Sequence, residues 1–136
     1  MVFVEEVVRR MNIFEFSYTN GCFMDSNIIY KFQSKGGKCI ASYKPVGAPR
    51  EEAVEKEVPE SFREKIEEAM KKYQVRMWNG FQKSNPHVLD GDSFQLFVKF
   101  EEGEGIHASG YMEWPKYYRE FVKEIATIYA EEFGIN

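Results

Sequence analysis

Two histidines and two cysteines are the side chains of this sequence best suited to metal binding or nucleophilic chemistry. His87 and His107 fall in no ligand spacing, and a metal site built on them needs further ligands that the spacing does not supply. Cys22 and Cys39 form neither a CxxC motif nor a Cys/His pattern, so both read as free thiols of a reducing compartment. Either thiol with His107 would make a nucleophile–base pair, but no local signature supports one. Ser109 lies two residues beyond His107, and Tyr111 two further on. A strand would place all three on one face. Asp90-Gly91-Asp92 has the form of the start of a calcium loop, but the further oxygen ligands and the Glu at the twelfth position are missing. Turn chemistry explains the triplet. Gly103, Gly105 and Gly110 make no phosphate-binding fingerprint, because their segment reads as a hairpin rather than a strand-to-helix turn. The sequence therefore implies no metal and no cofactor.

The elements that must carry these residues follow from hydrophobic period. Phe3, Val4, Val7, Val8 and Met11 recur at helical spacing, yet their β-branched content suits a strand equally, and residues 1–11 stay undecided. Phe14, Phe16 and Tyr18 then alternate with Ile13, Glu15 and Ser17, which predicts a strand with one buried face. Asn20-Gly21 reads as a turn. A second strand alternates through Ile28, Tyr30 and Phe32, and Gly36-Gly37 turns the chain into a third around Cys39, Ala41 and Tyr43. Matching their apolar faces sets Phe32 opposite Cys39. Val54 to Val58 is a candidate edge strand.

The period next becomes helical. Phe62, Ile66, Ala69, Met70 and Tyr73 form one stripe among charged residues. Ser61 and Glu64 fit a capping box, with Pro59 beside the first turn. After an irregular stretch, Phe94, Leu96, Val98 and Phe100 mark the clearest strand, and Ile106, Ala108 and Gly110 mark its hairpin partner, with Phe100 set opposite Ile106. Pro115 opens a final helix with Tyr118, Phe121, Val122, Ile125, Ile128 and Tyr129 on its apolar face, and Gly134 ends it. Trp78 and Trp114 read as closing the two ends of the core.

Composition bounds the class. The chain has 136 residues, of which 43% are hydrophobic and 29% charged, a globular balance in the size range of one domain. Aromatic residues reach 16%, which suits a Phe- and Tyr-rich sheet core. The net charge of −4 argues against a nucleic-acid or anionic-membrane partner, either of which needs a basic face. No apolar run approaches the roughly 18 residues of a membrane span. The first ten residues lack the pattern of a signal peptide, so a cytoplasmic location is expected.

The segment from Val75 to Phe121 resembles a group of small bacterial domains, common in Gram-positive gut species, for which no activity is established. The resemblance rests on Trp78-Asn79-Gly80-Phe81, Leu89-Asp90-Gly91-Asp92-Ser93-Phe94, Ile106-His107-Ala108-Ser109-Gly110 and Pro115-Lys116-Tyr117-Tyr118. An Asn commonly follows the Gly in that group, whereas this chain has Tyr111-Met112-Glu113-Trp114 before Pro115. The resemblance implies the strand–hairpin–strand–helix order and transfers no catalytic residue.

These readings converge on one α+β domain over residues 1–136. They imply a two-layer sandwich, with a mainly antiparallel sheet of five or six strands and two helices packed on one face. Phe14, Phe16, Tyr30, Phe32, Phe62, Ile66, Leu96, Val98, Phe121 and Ile125 should share the core. The opposite face would show Ile13, Ile29, Ile40, Phe97 and Tyr111 among Glu15, Lys31, Gln33, Lys99, His107 and Ser109. The function expected is a non-enzymatic binding or interaction domain. Its surface would hold Ile29, Ile40, Phe97, Lys99, His107 and Tyr111, and its partner would be a second copy or another protein. The alternative is a small enzyme with its site near His107, Ser109 and Tyr111. Because the sequence implies no structural metal, chelator treatment should leave the thermal midpoint unchanged in calorimetry. A fall of many degrees would overturn that reading.

Overall fold

A computed structural model describes residues 12–21, 28–45, 53–85, 87 and 91–134. Period-two alternation builds β1 (Ile13–Gly21), β2 (Ile28–Lys35) and β3 (Lys38–Lys44), and β4 (Val54–Val58) supplies an edge. The apolar stripe beginning at Phe62 then forms α1 (Glu60–Lys72), followed by a 3-10 turn over Val75–Trp78. β5 (Gln82–Ser84), β6 (Ser93–Phe100), β7 (Ile106–Tyr111) and α2 (Tyr118–Phe133) complete the order. Among the described residues the strands make one seven-stranded sheet in the order β4-β3-β2-β1-β6-β7-β5. Every pairing is antiparallel except that of β5 with β7.

Both helices lie on one face of this sheet. Phe62 of α1 stacks on Phe32, and Phe121 and Tyr129 of α2 rest on Phe16 and Tyr30, with ring centroids 6.1, 6.4 and 4.7 Å apart. Phe62 also meets Tyr129 edge to face at 5.0 Å, which locks the helices to each other. The α+β sandwich is thus as the sequence implies, with one strand more. That strand is β5, three exposed residues without an apolar alternation, held by its pairing with β7. Among the described residues no helix is long and apolar enough to cross a membrane.

Several local expectations are corrected. A bulge interrupts β1, so that Ile13 pairs with Phe100 while Glu15 pairs with Lys99. The extra residue reverses the alternation. Ile13, expected on the open face, is fully buried, and Phe14, expected in the core, lies half-buried under the Lys99 ammonium at 5.4 Å. In the β2–β3 hairpin Phe32 faces Ala41, and Lys35 faces Lys38. Gly36 and Gly37 form the two-residue loop at φ 58° and 80°, values that favour glycine at both positions. In the β6–β7 hairpin Val98, not Phe100, faces Ile106. Both shifts are of two residues and therefore leave every side chain on its expected face. Asn20-Gly21 is no turn. It continues β1 between Ile28 and the Ser93–Phe94 segment.

The helix starts also differ. Pro59 is the N-cap of α1, and no side-chain bond caps it. Ser61 already lies inside the first turn, so the capping box does not form. Pro115 precedes α2 by a turn, its carbonyl accepting the Tyr118 N–H at 3.2 Å, and Tyr117 in a left-handed conformation begins the helix. Gly134 caps the C-terminus at φ 67°, as expected. Trp78 and Trp114 do not close opposite ends. Both pack on Tyr118, with centroids 6.1 and 5.0 Å away.

The core is aromatic, and the polar tips of Tyr18, Tyr118, Tyr129 and Trp78 are partnered. The Tyr18 and Tyr118 hydroxyls bond each other, and the Asn20 carboxamide donates to both at 2.8 and 3.0 Å. Tyr129 donates to the Lys31 carbonyl, and the Trp78 indole N–H donates to the Lys116 carbonyl at 3.0 Å. Leu96 and Ile125, at 2% and 1% exposure, have little space into which neighbours could collapse. Leu96→Ala or Ile125→Ala should each cost about 2–5 kcal/mol in denaturant unfolding; a loss well under ~1 kcal/mol would show that the site is not core.

Candidate functional site: the sheet face opposite α1 and α2

The registers lay out the face opposite the helices rung by rung. One rung crosses from β4 to β7 as Glu55, Ser42, Lys31, Ser17, Phe97 and His107. The next crosses from β3 to β5 as Lys44, Ile29, Thr19, Gln95, Ser109 and Gln82. On the other side of the first lies the rung Glu57, Ile40, Gln33, Glu15 and Lys99. Tyr111, flanked by Ser93 and Ser84, belongs to a fourth.

This face is grooved rather than flat. A depression of about 490 Å³ holds Ile40 and Phe97 among Glu15, Ser17, Lys31, Gln33, Ser42 and Glu55. A second, of about 330 Å³, holds Phe97 and His107 with Ser17, Thr19, Gln82, Gln95 and Ser109. Ile29 lines a third beside Lys31 and Lys44, and Tyr111 a fourth beside Lys83 and Ser93. Lys44 is 1% exposed, and its ammonium donates to the Pro45 carbonyl at 3.3 Å.

All six residues singled out from the sequence as a binding surface, Ile29, Ile40, Phe97, Lys99, His107 and Tyr111, stand on this face. They do not form an apolar patch. Ile29 faces Thr19 and Lys44, Ile40 faces Gln33 and Glu57, and Phe97 faces Ser17 and His107. No two of these apolar side chains are directly opposite each other. Among the described residues the exposed large hydrophobics, Val54 and Met77, sit on the sheet edge and the 3-10 turn instead. Sequence reasoning passed over Thr19, Ser42 and Gln82. Thr19 was hidden by reading Asn20-Gly21 as a turn, and Gln82 belongs to a strand too short to show a period.

The imagined catalytic pairings are not built. Cys39 points into the helix-covered core, where its thiol donates to the Glu60 carboxylate at 3.3 Å, while His107 is on the opposite face. The His107 ring meets Phe97 edge to face at 4.8 Å. Ser109, on the neighbouring rung, faces Gln95 and Gln82, and no hydrogen bond joins it to the His107 ring among the described residues. No cluster of three metal-ligating side chains occurs among the described residues. Cys22, the other thiol considered, lies outside them.

The motif blocks behind the bacterial resemblance meet one another. The Asn79 carboxamide oxygen accepts the His107 N–H at 3.0 Å. The Gly80 N–H donates to the His107 carbonyl, and the Ser109 N–H donates to the Phe81 carbonyl, each at 2.9 Å. A side chain at Gly110 would come within 2.2 Å of the Glu113 carbonyl oxygen and 2.7 Å of the Phe94 ring. These residues hold β7 in place. Compared by sequence, the chain matches no known family and no curated protein.

Burial and the adjacent Glu60 carboxylate push the Cys39 thiol up to about 11 from an ordinary 9.0. At pH 8 only about one such thiol in a thousand is thiolate, the reactive form. In a Cys22→Ser protein, Cys39 should resist a chromogenic disulfide reagent at pH 8 until denaturant is added. Prompt reaction in native buffer would contradict this placement of the thiol.

Proposed function

We propose that this chain is a binding domain rather than an enzyme, with its ligand laid across the sheet face opposite α1 and α2. The observation that carries the reading is the make-up of the rungs. Ser17, Thr19, Ser42, Gln33, Gln82, Gln95 and Ser109 project from adjacent strands of one rigid sheet, and each can donate and accept hydrogen bonds. The sheet fixes the backbone from which these side chains project, so only their own rotamers are ordered when they engage a ligand. Concave, partly apolar depressions with convergent polar groups are the usual form of such sites. The same role extends to the small bacterial domains that Val75–Phe121 resembles. The free Cys39 thiol supports the reducing cytoplasm as its location.

The reading is tested by amine labelling. Lys31 and Lys99 are exposed on the sheet face opposite α1 and α2, whereas Lys71 and Lys123 are exposed on those helices. In native cell extract Lys31 and Lys99 should be protected relative to the purified protein, and Lys71 and Lys123 should not. Phe97→Asp should remove the protection while circular dichroism stays unchanged. Equal labelling of all four lysines in extract and in buffer would exclude this face as the binding surface.

A further inference from the structure

We infer that the groove over β1, β6, β7 and β5 takes a neutral carbohydrate of one or two sugar rings; this deepens, and rests on, the binding-domain reading. Thr19, Gln95, Ser109 and Gln82 lie side by side on one rung across these four strands. Three interstrand steps of about 4.8 Å spread them over roughly 14 Å. Each amide offers N–H donors beside a carbonyl acceptor, and each hydroxyl both donates and accepts. That is the pattern neighbouring sugar hydroxyls require, since each of them also gives one proton and accepts others.

Charge singles out this groove from its neighbour. The 330 Å³ depression is lined, among the described residues, by no carboxylate and no lysine. The adjoining 490 Å³ depression carries Glu15, Lys31 and Glu55. A charged ligand would gain no fixed counter-charge in the smaller groove and would still lose hydration on entering it. A neutral polyol exchanges water's hydrogen bonds for equivalent ones from the protein.

The aromatic pair supplies the other half of sugar recognition. Phe97 and His107, on the next rung, stand edge to face at 4.8 Å and 68° and wall the same groove. A pyranose carries an apolar C–H face, and an aromatic ring attracts such hydrogens through its negative quadrupole. An extended peptide is matched less well. β1, β6 and β7 are each paired on both sides, and the free edge of β5 is only three residues long, so the groove offers little backbone for strand addition.

The test is an amide-resolved NMR titration of the full chain. The neutral probes are a panel of hexose, pentose and N-acetylhexosamine disaccharides at millimolar concentration. The charged probes are glucuronate and inorganic phosphate. The side-chain amides of Gln82 and Gln95 and the backbone amides of Thr19 and Ser109 should move together with at least one neutral disaccharide and stay still with both charged probes. Gln95→Ala should weaken that binding about tenfold, the scale of a lost bidentate hydrogen-bonding contact, with the rest of the spectrum unchanged. No shift with any neutral probe, equal shifts with the charged ones, or shifts mapping away from this rung would overturn the assignment. Concentration-dependent broadening of the same amides without sugar would replace the carbohydrate by a second copy of the chain. If the sugars fail while Lys31 and Lys99 are still protected in extract, the carbohydrate is wrong and the binding face stands. If that protection is absent too, both readings fall.

Discussion

The pairing of β1 with β6 is the interaction on which the rest of the structure depends. β1 sits between the N-terminal meander, through β2, and the C-terminal hairpin, through β6. Without that ladder the described strands would fall into a four-stranded and a three-stranded sheet, each with its own buried face. With it, Phe16 and Tyr18 fall opposite Val98 and Leu96, and the two halves share one buried face. α2 spans the seam, with Phe121 on Phe16 of β1 and Tyr118 on Phe94 of β6, while α1 sets Phe62 on Phe32 of β2. The ladder joins residues about 80 positions apart in sequence, so its loop-closure entropy must be offset by the aromatic burial it enables.

The bulge at the start of β1 shows how that central strand is tuned. Ile13 turns inward and pairs with Phe100, and its N–H donates to the Glu67 carboxylate of α1 at 2.8 Å. Burial pushes the Glu67 carboxyl above its ordinary value, while this amide and the Arg63 guanidinium draw it back. A local irregularity in the sheet is thus tied to the helix layer by a specific polar contact. The tyrosines follow the same logic. Burial raises the Tyr18, Tyr118 and Tyr129 hydroxyls above their ordinary value and takes Tyr30 to about 12, so all stay protonated at neutral pH. Tyr18, Tyr118 and Tyr129 close their hydroxyls into hydrogen bonds within the core.

The two faces consequently divide the work. The helix-covered face holds large aromatic side chains with partnered tips, a scaffold with little freedom to move. Outside the β1 bulge and β5 the other face alternates with it along the strands, so its side chains, buried Lys44 apart, stand at the surface on a backbone that the core holds in place. Asn79, Gly80 and Phe81 do not add chemistry to that face. They brace β7, and thereby the positions of His107 and Ser109, from the side.

Much of this architecture is legible in the residue pattern, for a physical reason. Period two and period 3.6 record which side of an element meets water, so the strands, both helices and the sharing of faces by Ile29, Ile40, Phe97, His107 and Tyr111 follow from local alternation. Both hairpin registers slipped by two residues without moving a side chain to the other face, because the pattern constrains parity rather than pairing. The bulge at Ile13 and Phe14 broke that parity, and no local signal marks it. β5 escaped notice because three polar residues carry no period, and Asn20-Gly21 looked like a turn because its strand partners lie far away in sequence. Neighbours across the sheet are the part the sequence alone could not supply. Thr19, Gln95, Ser109 and Gln82 come from four separate segments, and only the β1–β6 pairing and the parallel docking of β5 set them on one rung. Alternation is a property of each strand, whereas adjacency belongs to the closed ladder, whose free energy comes from contacts distant in sequence.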